Sequence, residues 1–477
     1  MTPRIPSELA WLRRATEAPR AACLLGSIFS LAGVAHAQSA AAPASSAPAT
    51  SSALSWHGIT LYGIVDLGLQ YDTHAAPFSD YFMAGSADIV QKNSRQAQSG
   101  VTSNNLSQSR VGLQGTEPLN FGDWSGVFKL ETFFNPASGE LSDAAKSLVQ
   151  NNGRPLNQTS TNLDSSVAGQ IFQQSFAGLS SPTYGTVTFG RQNTVLADGI
   201  AKYDPNAASQ AFSLIGLSGT AAGGGDTQDR RMDSSLKYGV KYQNFRLGAE
   251  YKFSDSANSA NSAVEVSLGG DYAGFSADAY YVKVKSAIAL SALSAAQVTT
   301  LPTTFSVGNS LNATISDNTT FGLLAMYSFA PFKFYAGYEN IKFENPKTPL
   351  LAGFDVASYK LAYTSNTAYS EEKILQVYWA GVKYSVDPNL DVTLAYYGYH
   401  QSSFATPASG FAGCTTIVNA NCSGELRDFS IDAVYKLSKR FDAYAGVMYS
   451  GVADGLAFGY IYSKNNFNPT IGVRFTF

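Results

Sequence analysis

The sequence predicts an all-β fold, a sixteen-stranded antiparallel transmembrane β-barrel. Three observations carry this. Runs of alternating apolar and polar residues recur along the chain with the period of a strand. Their connections sort into short and long, one kind following the other. Charged residues are only 14 % of the 477, while Tyr (27), Phe (29) and Gly (42) are abundant, a mixture that suits strands more than helices. Beyond the first 37 residues, no stretch approaches the roughly 18 consecutive apolar residues of a spanning helix, so a membrane-embedded chain would cross as strands.

The first 37 residues read as a secretory signal, with Arg4, Arg13, Arg14 and Arg20 before the apolar run Ala21 to Ala35 and a small-x-small site at Ala35-His36-Ala37. Cys23 would leave with it. Removing four Arg and two Glu from 32 basic and 35 acidic residues leaves 28 and 33, a net charge of about −5, which resembles no nucleic-acid binder. Residues 38 to 55 are Ala/Ser/Pro-rich and read as a leader, and 56 to 477 as the barrel. Cys414 and Cys422 are close in sequence and, in an exported chain, favour a loop-closing disulfide over a metal site.

The strands follow in order. From 59 to 71, Leu61, Val65, Leu67, Leu69 and Tyr71 share one face, and Tyr62, Asp66 and Gln70 the other. Hairpins then pair 108–116 with 124–134, 172–180 with 185–192, 233–242 with 245–253, and 264–272 with 275–285. Three more pair 319–329 with 332–342, 373–386 with 389–400, and 425–437 with 440–449, and 469–477 ends the chain. A strand-like stretch at 355 to 364 would raise the count to eighteen. The long connections are rich in Ser, Asn, Gly and Asp, and their gathering at one rim is the asymmetry of outer-membrane barrels.

Face chemistry sets the sense of the barrel. Phe245, Leu247, Ala249, Tyr251 and Phe253 oppose Arg246, Gly248, Glu250 and Lys252; Phe332, Phe334 and Tyr338 oppose Lys333, Tyr335 and Glu339; Phe429, Ile431 and Tyr435 oppose Asp428, Ser430 and Asp432. Sixteen strands enclose more space than side chains can fill, so the polar face belongs to a wet interior and the apolar face to lipid. The stripe Ile471, Val473, Phe475 and Phe477 is then lipid-facing, and its strand pairs with 59–71 so that no edge is left in hydrocarbon.

The motifs at 61–68 (LYGIVDLG), 109–115 (SRVGLQG), 175–179 (SFAGL), 185–192 (GTVTFGRQ) and 472–477 (GVRFTF) resemble the Gram-negative general porins, in particular the trimeric porins of β-proteobacteria. The resemblance spans residues 56 to 477. It implies a homotrimer in the cell outer membrane, among lipid and lipopolysaccharide, whose water-filled channels pass small hydrophilic solutes and ions by diffusion. It further implies that the third loop, by this likeness Asn193 to Met232, folds inward to narrow the pore and that Phe477 is read by the barrel-assembly machinery.

By the same resemblance Arg110 and Arg231 match wall arginines of the constriction, with Asp198 and Asp204 as their acidic counterparts on the loop and Asp226 and Asp229 behind them. Ile64 and Gln173 stand where such porins often carry a base, which softens the field across the pore. Asp66, Gln173, Lys129, Lys237, Arg246, Lys333 and Arg474 have inward parity and are expected to line the lumen; Arg191 shares parity with Val187 and Phe189 and points to a rim or subunit contact. An eighteen-strand, substrate-selective channel is the alternative within the class. An outer-membrane enzyme is the alternative outside it, but His57, His74 and His400 form no legible triad with Ser and an acid, and Gly223 to Gly225 lack the Lys-Ser/Thr of a phosphate loop. No cofactor, metal or catalytic residue is expected. Solute preference and the sign of ion selectivity are left open.

Overall fold

The computed structural model describes residues 54–81, 90, 96–155, 171–217, 230–254, 261–356, 358–404, 423–457, 460 and 462–477. The expected signal and most of the leader lie outside the described residues, as do Cys414, Cys422, Asp226 and Asp229.

Sixteen long strands form the barrel: β1 (Ile59–Ala75), β2 (Arg110–Pro118), β3 (Ser125–Asn135), β4 (Gln174–Ser181), β5 (Gly185–Asn193), β6 (Arg231–Tyr242), β7 (Phe245–Lys252) and β8 (Ala263–Tyr272). They continue as β9 (Phe275–Ser291), β10 (Ser310–Phe329), β11 (Phe332–Glu344), β12 (Lys373–Ser385), β13 (Leu390–Gln401), β14 (Gly424–Lys436), β15 (Phe441–Asp454) and β16 (Asn465–Thr476). Each pairs antiparallel with its neighbours in sequence. β16 closes on β1 from Ile64↔Thr476 to Gln70↔Thr470, and Phe477 exchanges both backbone hydrogen bonds with Gly63 at 3.0 Å. Closure satisfies every edge, which a bilayer demands.

Alternation in the sequence becomes alternation in space. On β7, Phe245 is 65 % and Tyr251 45 % exposed while Glu250 between them is 2 % exposed. Phe429 and Ile431 point out against buried Asp428, Ser430 and Asp432 on β14, and Phe467, Ile471, Val473 and Phe475 point out on β16. The short rim is made by tight turns. At Ala273-Gly274 both residues have positive φ, 48° and 84°, the I′ geometry whose twist matches the strands it joins.

Two features differ from expectation, and a third bears out sixteen strands over eighteen. Residues 96–103 form a strand that pairs with the upper half of β1, from Leu67↔Ser103 to Ala75↔Gln96, so the second strand is broken in two. Asp66 fixes the break: its carboxylate accepts from the amides of Leu106 (2.9 Å) and Ser107 (2.8 Å) and from the Tyr444 hydroxyl (2.6 Å). The stretch at 355–364 does not add strands to the ring. Tyr359–Ser365 runs parallel to the upper end of β10 and Asp355–Val356 folds back on it, so the count is sixteen. Lastly, β9 and β10 stay paired well beyond the lipid band, to Ser291↔Asn312.

The long connection after β3 carries helix α1 (Ala144–Val149), capped by Asp143, whose side chain accepts from the Lys146 amide. Its Ala145 and Leu148 are buried with Ile288, Leu290, Leu311, Ala313 and Ile315 of the β9–β10 extension. Just past it, Asn152 donates to the carbonyls of Val307 and Ser310 and accepts from the Leu293 amide, all within 2.8 Å. A segment rooted at β3 and packed on β9 and β10, nearly opposite in a sixteen-strand ring, crosses the mouth as a strap.

Candidate functional site

The third connection, between β5 and β6, begins with α2 (Val195–Tyr203), capped by Thr194 through the Ala197 amide. Val195, Leu196, Ile200 and Tyr203 form its buried face, which packs on β7 to β11. Gly199 lies against the wall so closely that a Cβ there would stand 2.0 Å from the Tyr280 hydroxyl. A wall carboxylate meets the positive end of the helix, Glu265 accepting from the Leu196 amide at 3.1 Å.

Beyond the helix the loop is pinned strand by strand. Trp379 on β12 donates its indole N–H to the Tyr203 carbonyl (3.0 Å), Tyr397 on β13 donates to Asp204 (2.6 Å), and Asn206 donates to Ser430 on β14 (3.1 Å). Phe212 meets Tyr444 of β15 edge-on at 6.4 Å, and the Ala211 amide reaches the Asn105 carbonyl. The loop therefore runs along the inner wall from β7 to β15. Among the described residues, no such anchor joins 195–217 to β16 or to β1 to β4.

Cations stand on the inner face of β2, β3, β6 and β16. Arg110 (β2) and Lys129 (β3) stand 3.7 Å and 3.4 Å from Glu131, with side chains 33 % and 22 % exposed against 1 % for the carboxylate. Glu131 also accepts from Tyr62 (2.8 Å) and Gln174 (2.7 Å), so the acid lies beneath and the bases above it meet water. Arg231, at the start of β6, lays its guanidinium 4.5 Å from the centre of the Phe133 ring on β3. Its electrostatic neighbours include Arg110, Arg191 and Glu131. Arg474 on β16 bonds Asp442 (2.6 Å) and Ser107 (2.7 Å).

On the loop, Asp198 is half exposed and takes a 2.6 Å ion pair from Lys237 of β6, which also donates to the Asn193 carbonyl. Asp204 is placed otherwise than the sequence suggests. It is 2 % exposed, accepts from Tyr397 and from the Ala208 amide at 2.7 Å, and burial pushes its carboxyl above the usual range; it anchors the loop and does not face open water. Asp66 and Gln173 are likewise buried, Asp66 as the strut of the broken strand and Gln173 with its amide on the Glu131 carbonyl. Arg246 is drawn into Asp271, Asp278 and the Tyr203 hydroxyl. Lys333 lies on the inward face of β11, half-buried. Arg191 pairs with Asp233. The residues that sequence reasoning missed, Glu131, Glu265, Trp379 and Tyr397, have inward parity as their signal; their partners come from loops whose path parity does not give.

A family model of Gram-negative porins matches residues 21–455. The chain belongs to this family, and its place is the outer membrane. An outer-membrane porin of Bordetella pertussis is 28 % identical over 211 residues, 44 % of this chain and 46 % of that protein, so the match spans about half the length of the curated relative. Among solved structures, an anion-selective porin from Comamonas acidovorans is 19 % identical over 88 % of this porin and 99 % of its own chain, with a TM-score of 0.55. OmpT of Vibrio cholerae with loop L8 deleted is 14 % identical over 88 % and 99 %, with a TM-score of 0.53. At these identities the structural likenesses are of fold.

Proposed function

We propose that this porin is a passive, water-filled channel for small hydrophilic solutes and ions that favours anions, and that it works as a homotrimer. The observation that carries the reading is the wall of β2 and β3, where the side chains of Arg110 and Lys129 are 33 % and 22 % exposed while their paired acid Glu131 is sunk out of water. Charges beside low-dielectric walls focus the local potential, and a ring of bases raises the concentration of anions in the narrowest water. The anion-selective neighbour and the trimeric form in which OmpT has been solved support the same reading. Diffusion requires no catalytic group.

Reversal potentials in planar bilayers under a salt gradient test it. The intact channel is expected to sit on the anion side, and Arg110→Ser with Arg231→Ser to move the potential toward cations. An unmoved potential would show that these side chains stand off the conduction path. The reading further includes removal of residues 1–37, with 38–55 as a leader of the barrel domain, a Cys414–Cys422 disulfide in a long loop, contacts with lipopolysaccharide, and recognition of Phe477 by the assembly machinery. Mass measurement of the exported chain, with and without reductant and alkylation, checks the cleavage and the disulfide.

A further inference from the structure

Above the lipid band the β9–β10 hairpin leans. Lower down, the odd-numbered residues of β9 face lipid, with Phe275 and Tyr281 opposite Tyr327 and Phe321 of β10. A one-residue bulge between Val284 and Ala287 shifts the parity of β9, so the same face continues through Ile288 and Leu290, opposite Ile315 and Ala313, and through Leu311. There it is buried, and Ala145 and Leu148 of α1 help to cover it. A helix arriving from β3, across the mouth, covers the lipid-side face of a hairpin that tips inward and turns that face upward. The bulge supplies the bend. Ser286 sits in it at φ 51°, its amide donating to Asp317 and its hydroxyl to the Thr348 carbonyl, both at 2.8 Å.

Strap and hairpin interlock at both ends. Beyond the three hydrogen bonds of Asn152, the Gly153 amide donates to the Leu293 carbonyl at 2.9 Å. Toward the root of the strap, Asn135 donates to the Asp80 carbonyl (2.8 Å), Gln150 donates to the Ser79 hydroxyl (2.7 Å), and Tyr359 donates to Asp143 (2.9 Å). A span with its own buried core and bonds at each end is fixed, whereas an ordinary loop moves. Its charge differs from that of the passage below. Residues 286–316 contain no Asp, Glu, Lys, Arg or His, and 135–154 carry two acids, Glu140 and Asp143, against two bases, Lys146 and Arg154. A span without net charge gives ions of either sign no preference, so what it selects is bulk.

We propose that the strap and the leaning β9–β10 hairpin form a second filter at the outer mouth, one that limits uncharged hydrophilic solutes by size and stands in series with the charged wall that sorts ions. The proposal rests on the channel reading and assigns size and charge selection to different parts of the chain. A bar fixed across an aqueous mouth costs a narrow solute a detour and turns a wide one back. The bases of the inner wall lie deeper and keep their field whether the bar is present or not.

Liposome swelling with the full chain tests it, comparing entry of a neutral trisaccharide with entry of a neutral monosaccharide. Ile288→Ser/Ile315→Ser spoils the face that α1 covers, and Asn152→Ala removes the far clamp without touching a buried apolar side chain. Each is expected to raise the trisaccharide-to-monosaccharide rate ratio severalfold while the monosaccharide rate changes little, and Ile288→Val/Ile315→Val to keep the parent ratio. The reversal potential of the same variants in planar bilayers should stay at the parent value. An unchanged ratio in Ile288→Ser/Ile315→Ser would overturn the proposal, and should that variant fail to assemble, an unchanged ratio in Asn152→Ala would do so. A rise of both sugars by one factor would overturn it too, as would a reversal potential that moved with the ratio, which would make the span part of the charged passage. A parent that admits neither sugar sinks the channel reading and the filter with it, whereas a parent that admits the monosaccharide, with no ratio moved by the variants, sinks the filter alone.

Discussion

Asp204 shows what a single carboxyl does when a loop closes over it. Its neighbours donate hydrogen bonds but it is sealed from water, and burial outweighs those bonds, so its carboxyl is held above the ordinary carboxylate range. A raised value means the folded state favours the protonated form. The stability this group contributes is therefore fully present below its unfolded value and is lost as pH rises through its folded value. Asp204→Asn does not titrate. The parent is expected to lose thermal stability relative to this variant as pH is raised from acid to neutral, read from unfolding midpoints in detergent; parallel pH profiles would contradict it. The sequence showed an acid on the third loop but not this burial, because Tyr397 lies almost two hundred residues away and parity describes only strands. The inward placement of Arg110, 33 % exposed beside Glu131, was legible for the converse reason: it needs only strand parity.

At the scale of elements, the lipid-crossing strands were legible because each must show one apolar and one polar face, and the hairpin turns between them because their residues are local. The strand at 96–103 was missed since its outer face, Ala97, Ser99, Val101 and Ser103, carries one large apolar residue, Val101 opposite Leu69, which is too little for a stripe. Close packing inside the barrel rests on glycines opposite rings. A Cβ on Gly337 would stand 2.0 Å from the Trp379 ring, and that indole holds the end of α2 through Tyr203. Gly337→Val is expected to lower stability by about 1–3 kcal/mol, the usual cost of overfilling a packed site, and to raise open-channel current noise as the loop loosens; a normal melting temperature would contradict it. The strap across the mouth makes a second claim. Leu148→Ala with Asn152→Ala removes a buried methyl cluster and three hydrogen bonds from its far end, a loss of about 2–5 kcal/mol for the leucine alone. The variant is expected to show a larger single-channel conductance, and an unchanged value would place the strap clear of the solute path.

For the whole molecule, a closed ring with lipid outside and water within separates two kinds of electrostatics. Charges on the passage wall face mobile ions and are screened by them, with a Debye length of about 10 Å at 0.1 M salt and about 3 Å at 1 M. Glu131 lies under Arg110 and Lys129 and is 1 % exposed, so its pairing with them is screened far less than the field they project into the water. If anion preference comes from that field, it must weaken as both bathing solutions are concentrated at a fixed gradient ratio, the reversal potential moving toward zero while conductance rises. A preference produced by a tight dry filter would instead persist, because ions stripped of water bind at contact distance where salt screens little. A reversal potential that holds constant from 0.1 M to 1 M would therefore argue against a wet, wall-charged passage and for a selective site within it.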